Sequence, residues 1–237
     1  MTIQKKIKIT ALNGSPKKNG NTVTLMKWVL EGCHEAGAEV ELIHIRDHNI
    51  QYCQGCHTCL QTGKCIINDE LSQVYERLSN SDGIVVGSPV YSGEPTAQLK
   101  TFLDRLTLFK LYSNIFNKQK TVGVTTSGIA PTKRLAKNLG NFFGRRVGII
   151  GVKTATLKKG YQPLIDHYNK KIPKRAHMLG KKLVKKIEQD SNPRGFTYWW
   201  INFLRKHLLS RVLKNSPEHF AGVIPIWLEN GWLKSKK

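Results

Sequence analysis

The chain has 237 residues, 40% of them hydrophobic, with 20 Gly and 9 Pro. That length suits one generous α/β core, or a core with an appendage, and the composition excludes a disordered or collagen-like chain. Its 38 Lys and Arg against 16 Asp and Glu give a formal charge of +22, and the excess is uneven: residues 1–120 hold 14 basic and 11 acidic side chains, residues 121–237 hold 24 and 5.

The amino terminus leads straight into a strand-like run with no secretory apolar segment, and no apolar stretch approaches the ~18 residues that span a bilayer. Five cysteines, four of them within residues 53–65, are unlike the scattered even set of a secreted scaffold and point to a reducing, cytoplasmic setting. In chain order, residues 7–13 predict a buried strand ending at Gly14. Residues 22–36 predict a helix with Met26, Val29, Leu30 and Cys33 inward and Asn21 or Thr22 as its cap. Residues 39–45 alternate as a strand with one polar face. Residues 83–88 are apolar throughout, as in a central parallel strand covered on both faces. A helix over 96–108 turns Leu99, Phe102, Leu103 and Leu106 inward, two strands follow at 121–126 and 147–156, and Leu179, Leu183 and Ile187 stripe a further helix. Strand, loop and helix repeated five times predict an α/β fold, a doubly wound five-stranded parallel sheet.

The breaker Ser191-Asn-Pro-Arg-Gly195 separates a domain over 1–190 from a helical C-terminal extension over 191–237. Phe196–Lys214 places Ile201, Leu204, Leu208 and Val212 in line, with Trp227 and Trp232 as later packing anchors. The favoured reading is a helix that docks on its own sheet or on a second subunit. Aromatic residues beside basic ones also suit peripheral membrane contact, while the near-neutral first half argues against nucleic acid.

Gly14-Ser-Pro-Lys-Lys-Asn-Gly-Asn-Thr22 lies at the carboxyl edge of the sheet, where ligands bind. Two glycines, the amides of a helix start, the side chains of Ser15, Asn21 and Thr22, and Lys17 and Lys18 suit an anion. The loop lacks GxxxxGK[ST] and GxGxxG, so neither an NTPase nor a dinucleotide site is signalled; a phosphate monoester or an ordinary polar loop remains.

The run ALNGSPKKNGNT resembles the FMN-phosphate loop of the flavodoxin-like NAD(P)H-dependent FMN reductases, and GSPVYSGEPTAQLKTFLDR over 87–105 is similar to that family's second signature. The resemblance implies a flavodoxin-like fold over about 5–188 and FMN held at its phosphate by Ser15, Lys17, Asn21 and Thr22. It places the isoalloxazine against Pro89, Val90, Tyr91 and Ser92, and Ser127 and Gly128 form a third wall. A loop aromatic that merely caps the sheet is the other reading of Tyr91. NAD(P)H is the implied co-substrate, and no side-chain acid or base is expected to be indispensable, because the flavin carries the chemistry.

Cys53, Cys56, Cys59 and Cys65 form C-x2-C-x2-C-x5-C, with Gly55 and Gly63 letting the loop curl. Three thiolates two residues apart and a fourth to close them suit a small cluster; zinc or free redox thiols remain open, and Cys33 reads as a core residue. The spacing resembles the iron–sulfur flavoprotein branch of the same family, which implies a [4Fe–4S] cluster. In such a protein the basic stretch Lys158, Lys159, Lys170, Lys171, Lys174 and Arg175, otherwise a solvated face, would steer a ferredoxin-like acidic electron carrier or the phosphates of NADPH. A homo-oligomer is expected from the family resemblance.

Overall fold

The computed structural model describes residues 6–113, 115–116, 118–156, 160–161, 163–164, 171–189 and 203–233. Five strands, β1 (Lys8–Asn13), β2 (Glu39–His44), β3 (Gly83–Pro89), β4 (Lys120–Ser127) and β5 (Arg145–Lys153), form one parallel sheet in the order β2-β1-β3-β4-β5. Every residue of β4 and the first six of β3 are buried, which suits their apolar or small side chains after Lys120; the edge strand β5 carries exposed Arg145 and Arg146. The winding direction reverses between β1 and β3, so the loops leaving these two strands part at the carboxyl edge and open a crevice.

The helices are α1 (Asn21–Glu35), α2 (Thr58–Thr62), α3 (Leu71–Ser79), α4 (Ala97–Ser113), α5 (Lys133–Phe142) and α6 (Lys171–Glu188). The stripe expected for α1 is buried as expected, and so are Leu99, Phe102, Leu103 and Leu106 of α4. The α1 cap differs: Gly20 is the N-cap and no side chain caps the turn. The strand expected over 147–156 ends at Lys153. Thr154 N donates to Ser127 O and Ala155 N to Gly128 O, carrying the pairing with the end of β4 past Lys153, and Ala155–Thr156 (β6) pairs antiparallel with Gly160–Tyr161 (β7).

The chain divides into two compact units, Met1–Ile50, Asp69–Phe102 and Phe116–Asp190 in one, Gln51–Asn68, Leu103–Ile115 and Ser191–Lys237 in the other. In the first, Ile9, Ala11, Val85, Val122 and Val124 of the sheet pack with Leu25, Met26, Val29 and Cys33 of α1 and with Ala176, Leu183 and Val184 of α6. Cys33 is the core residue its place in the stripe implies, its thiol pushed up to about 12 by burial. In the second, the tail contributes a π-helical stretch Arg205–Leu209, α7 (Ser210–Asn215) and α8 (Ile224–Glu229). Residues 196–202 of the expected tail helix, and Lys158, Lys159 and Lys170, lie outside the described residues. Trp227 is fully buried and Trp232 nearly so, packed edge to face at 5.7 Å, as expected of packing anchors. Among the described residues no helix is long and apolar enough to cross a membrane.

Helices α1 and α6 touch backbone to backbone through two glycines. A Cβ on Gly180 would stand 2.0 Å from Val29 O, and one on Gly32 would stand 2.1 Å from His177 O. Helix propensity alone favours alanine at either position by up to ~1 kcal/mol, but the overlap requires the helices to separate. Gly180→Ala is therefore expected to destabilise the protein by about 1–3 kcal/mol in urea unfolding; a neutral or stabilising result would mean that this crossing yields freely.

Candidate functional site: a carboxyl-edge crevice and a four-cysteine loop

The first unit builds the crevice from main chain held in place by buried polar side chains. At the end of β1, Gly14 N donates to Gly87 O at 2.7 Å and Gly14 O accepts from the Thr96 hydroxyl, which binds the first loop to β3 and to the start of α4. A Cβ at Gly14 would be 2.7 Å from Leu99 Cβ, so only glycine fits. Asn13 is completely buried and shapes the next turn: its Oδ1 accepts from Ser15 N at 2.9 Å, and its amide nitrogen faces His44 Nδ1 at 2.9 Å. Because a main-chain N–H can only donate, Oδ1 must face Ser15; Nδ2 then donates to His44, whose Nδ1 must be unprotonated. Burial lowers the His44 pKa, with Lys18, Lys27 and Arg46 adding to the effect against Asp47, and this favours the neutral ring.

Beyond that turn the first amides of α1 meet no side-chain cap and no acidic first-turn residue. These orphan donors at the positive end of a 15-residue helix suit a dianionic phosphate. Ser15 is buried and its hydroxyl accepts from Lys17 N at 3.2 Å, while the Lys17 side chain is exposed beside it. Thr22 is buried with its hydroxyl 2.6 Å from that of Thr126. Asn21 is placed differently from a simple phosphate donor. Its Oδ1 accepts from Leu164 N at 2.9 Å and its Nδ2 donates to the Tyr161 hydroxyl at 3.2 Å, so its side chain braces the segment after β5.

The second wall follows β3. Val90 N donates to Thr126 O at 2.7 Å, and Tyr91 and Glu94 exchange two main-chain bonds of 2.9 Å. Between them Ser92 and Gly93 both take positive φ, 50° and 86°, the geometry of a tight hairpin turn. This turn holds Tyr91 half exposed at the crevice edge. The third wall follows β4: Ser127 is buried with its hydroxyl on Ala130 O, and Gly128 has open space where a Cβ would be. All the sequence-predicted flavin positions therefore lie on the three loops of one edge, around a surface of amides, hydroxyls and one aromatic. Asn13, His44 and Thr96 are shaping residues that the motif reading missed, whereas Thr126 begins the turn expected as the third wall. The available signal was a polar residue ending an otherwise apolar strand, visible at Asn13.

The second unit carries the cysteines. Residues 51–57 have no regular structure, and Gly55, His57 and Gly63 take positive φ of 67°, 61° and 76°. Cys53 and Cys56 are exposed; Cys59 and Cys65 are half-buried. The Cys56 thiol is held below its ordinary value, chiefly by hydrogen bonds from the Thr58 hydroxyl and N–H. The Cys59 thiol is pushed up, first by burial and then by the charges of Cys65, Cys53 and Cys56. The four sulfurs thus share one electrostatic neighbourhood, although among the described residues no three side chains stand at metal-holding geometry. By donor chemistry, four soft thiols in a turn-rich loop fit an iron–sulfur cluster.

The sheet order and the backbone-built crevice define a flavodoxin-like α/β protein. The solved structure of RosB with bound 8-demethyl-8-formylriboflavin-5'-phosphate shares the fold at a TM-score of 0.61, with 14% identity over 84% of this chain and 87% of that one. An NADH:FMN oxidoreductase shares it at 0.55, with 21% identity over 79% and 92%. The family described as NADPH-dependent FMN reductase matches residues 7–162, and the chain belongs to it as a flavoprotein oxidoreductase. An iron–sulfur flavoprotein of Archaeoglobus fulgidus is 29% identical over 77% of this chain and 81% of its own length. One of Clostridioides difficile is 26% identical over 94% and 98%. Both place the chain in the iron–sulfur flavoprotein branch.

Two measurements check this geometry. His44 has its folded pKa depressed, so its contribution is present above the ordinary histidine value and lost as pH falls through the lowered one. FMN affinity of the wild type is expected to fall several-fold more steeply on acidification than that of His44→Gln, whose carbonyl accepts from Asn13 without titrating; equal slopes would contradict the Asn13–His44 arrangement. In the iron-free chain, Cys56 should be alkylated before Cys59 at neutral pH, and Thr58→Val should slow Cys56 by removing its hydroxyl donor.

Proposed function

We propose that this protein is an FMN-dependent oxidoreductase that takes electrons from NAD(P)H or a protein carrier and passes them through FMN, with a [4Fe–4S] cluster, to a second acceptor. The observation that carries the cluster assignment is the set Cys53, Cys56, Cys59 and Cys65 on one turn-rich loop, with positive φ at Gly55, His57 and Gly63, and the names of the relatives support it. FMN, when bound, takes a hydride and releases electrons singly or in pairs, and a [4Fe–4S] cluster carries single electrons.

The chain's own residues supply placement. Ser15, Lys17, Thr22 and the Asn21 amide take the phosphate; Pro89, Val90, Tyr91 and Ser92 border the ring on one side, Ser127 and Gly128 on the other. No carboxylate stands among these positions, so the electrostatics around the flavin come from amides, hydroxyls and lysine, a setting that favours an anionic ligand. On α6, exposed Lys171, Lys174, Arg175, Lys182 and Lys185 give a cationic face that would attract an acidic carrier or the phosphates of NADPH. Tyr52, 77% exposed, and Ile66, 64% exposed, flank the cysteines and would be covered in a homo-oligomer. The thiol set belongs in the reducing cytoplasm.

An absorbance spectrum of protein purified without oxygen, with iron and sulfide assays, decides between readings. Flavin bands with a broad visible shoulder and iron are expected. Flavin without iron would leave a cluster-free NAD(P)H:flavin or quinone reductase, and no flavin under any condition would sink both in favour of a basic binding module. Lys17→Ala should weaken FMN by about 3–10-fold and leave riboflavin binding unchanged, since riboflavin lacks the phosphate; equal losses for both would remove Lys17 from the phosphate site.

A further inference from the structure

The cysteine loop has little means of holding its own shape. A five-residue helix does not stand alone in water, and fixing the backbone of an irregular loop costs about 1–2 kcal/mol per residue. Within its unit, two contacts supply what the loop lacks. At the trailing end, Gly222 N donates to Leu60 O at 3.0 Å, and a Cβ on Gly222 would stand 2.0 Å from Gly63 N and 2.5 Å from Thr62 C. The tail backbone therefore lies directly on the end of α2, between Cys59 and Cys65. Leu60, the buried residue of α2, enters an apolar cluster with Leu213, Phe220, Val223, Trp227 and Trp232, and Cys59 packs at its margin. Trp227 ties this cluster to α4 by donating Nε1 to Tyr112 O, and His219 meets His57 edge to face at 5.4 Å.

At the leading end, Arg105 of α4 is 4% exposed and donates from Nη1 to Gln51 O at 2.8 Å, two residues before Cys53. A cluster on four thiolates is anionic and becomes more so on reduction, so a fixed cation in the same unit stabilises the reduced form.

We propose that the C-terminal segment 217–233 and Arg105 are positioning elements of the four-cysteine site, clamping the trailing and leading ends of its loop so that the sulfurs converge on a cluster. This rests on the cluster assignment of the preceding section and extends it to residues outside the cysteine motif. It gives the tail a role in metal retention that does not require a partner or a membrane.

The test uses the full-length protein reconstituted without oxygen with FMN, iron and sulfide. FMN, iron and sulfide per chain, the electron paramagnetic resonance spectrum of the reduced protein, and the cluster midpoint potential are measured. Gly222→Ala and Trp227→Ala are expected to keep FMN and to lose cluster affinity by about tenfold or more. Leu208→Ala, in the tail before that segment and 57% exposed, should keep both. Arg105→Gln should lower the midpoint potential and Arg105→Lys should restore it, a response that a purely structural residue would not give. Full iron with an unchanged spectrum in both tail variants overturns the clamp, as does loss of FMN together with iron in both, which would make the tail a general folding element. An unmoved potential in Arg105→Gln overturns the part assigned to its charge. Wild-type protein that binds FMN but no iron overturns the cluster assignment itself, a result distinct from iron-replete variants.

Discussion

The whole carboxyl edge depends on how closely β1, β3 and α4 approach at Gly14. Its N–H and C=O are both taken by neighbouring elements, and its missing Cβ leaves room for Leu99. That contact fixes the direction in which the first loop leaves the sheet. Asn13 then sets the following turn through Ser15 and His44, and the orphan amides of α1 are presented where the loop ends. The course of the loop is thus a consequence of packing at its first residue. The side chains that look most like phosphate ligands are largely engaged in keeping the loop in shape.

Local patterns made much of the fold legible. The apolar runs of β3 and β4 and the stripe of α1 are each explained within a few residues by burial on one or two faces, and the two flavin-edge loops lie at strand ends that the alternation already located. Asn21 shows where such reading stops. As a helix-start asparagine it looks like a cap, yet its side chain binds Leu164 N and Tyr161, 143 and 140 residues away. A small polar residue has several equally good partners, and only tertiary structure selects among them. His44 is similar: nothing in its spacing marks it, and its role arises from the main-chain donor at Ser15 acting through Asn13. Helices α3 and α5 went unread because they are short and mostly polar on one face.

The same limit applies more strongly to the cysteines. Their spacing announces a shared ligand, but spacing cannot say what supports the loop. That support comes from residues more than a hundred positions later, through two glycines whose backbones touch and an apolar cluster built around Trp227. A tail of aromatic and basic residues reads as a helix docked on its own sheet or on a second subunit, and nothing in that reading points to the cysteine loop. Here its described part turns its tryptophans inward and brings Gly222 against the end of α2. The match to the Clostridioides difficile relative covers 94% of the chain, so the similarity runs into this tail as well.

Charge takes on a narrower meaning in this light. The chain carries +22, and on α6, among the described residues, Lys181 pairs with Glu35, which with Glu31 also holds His177. Such charges act over a distance set by salt, about 8–10 Å, and govern encounter more than chemistry. The charges that bear on the candidate sites are different in kind. A neutral imidazole at His44 fixes the orientation of one amide, and a buried guanidinium at Arg105 sits on the carbonyl that leads into the cysteine loop. Each works through a specific hydrogen bond in a place where screening is weak, so single residues there outweigh the many lysines outside.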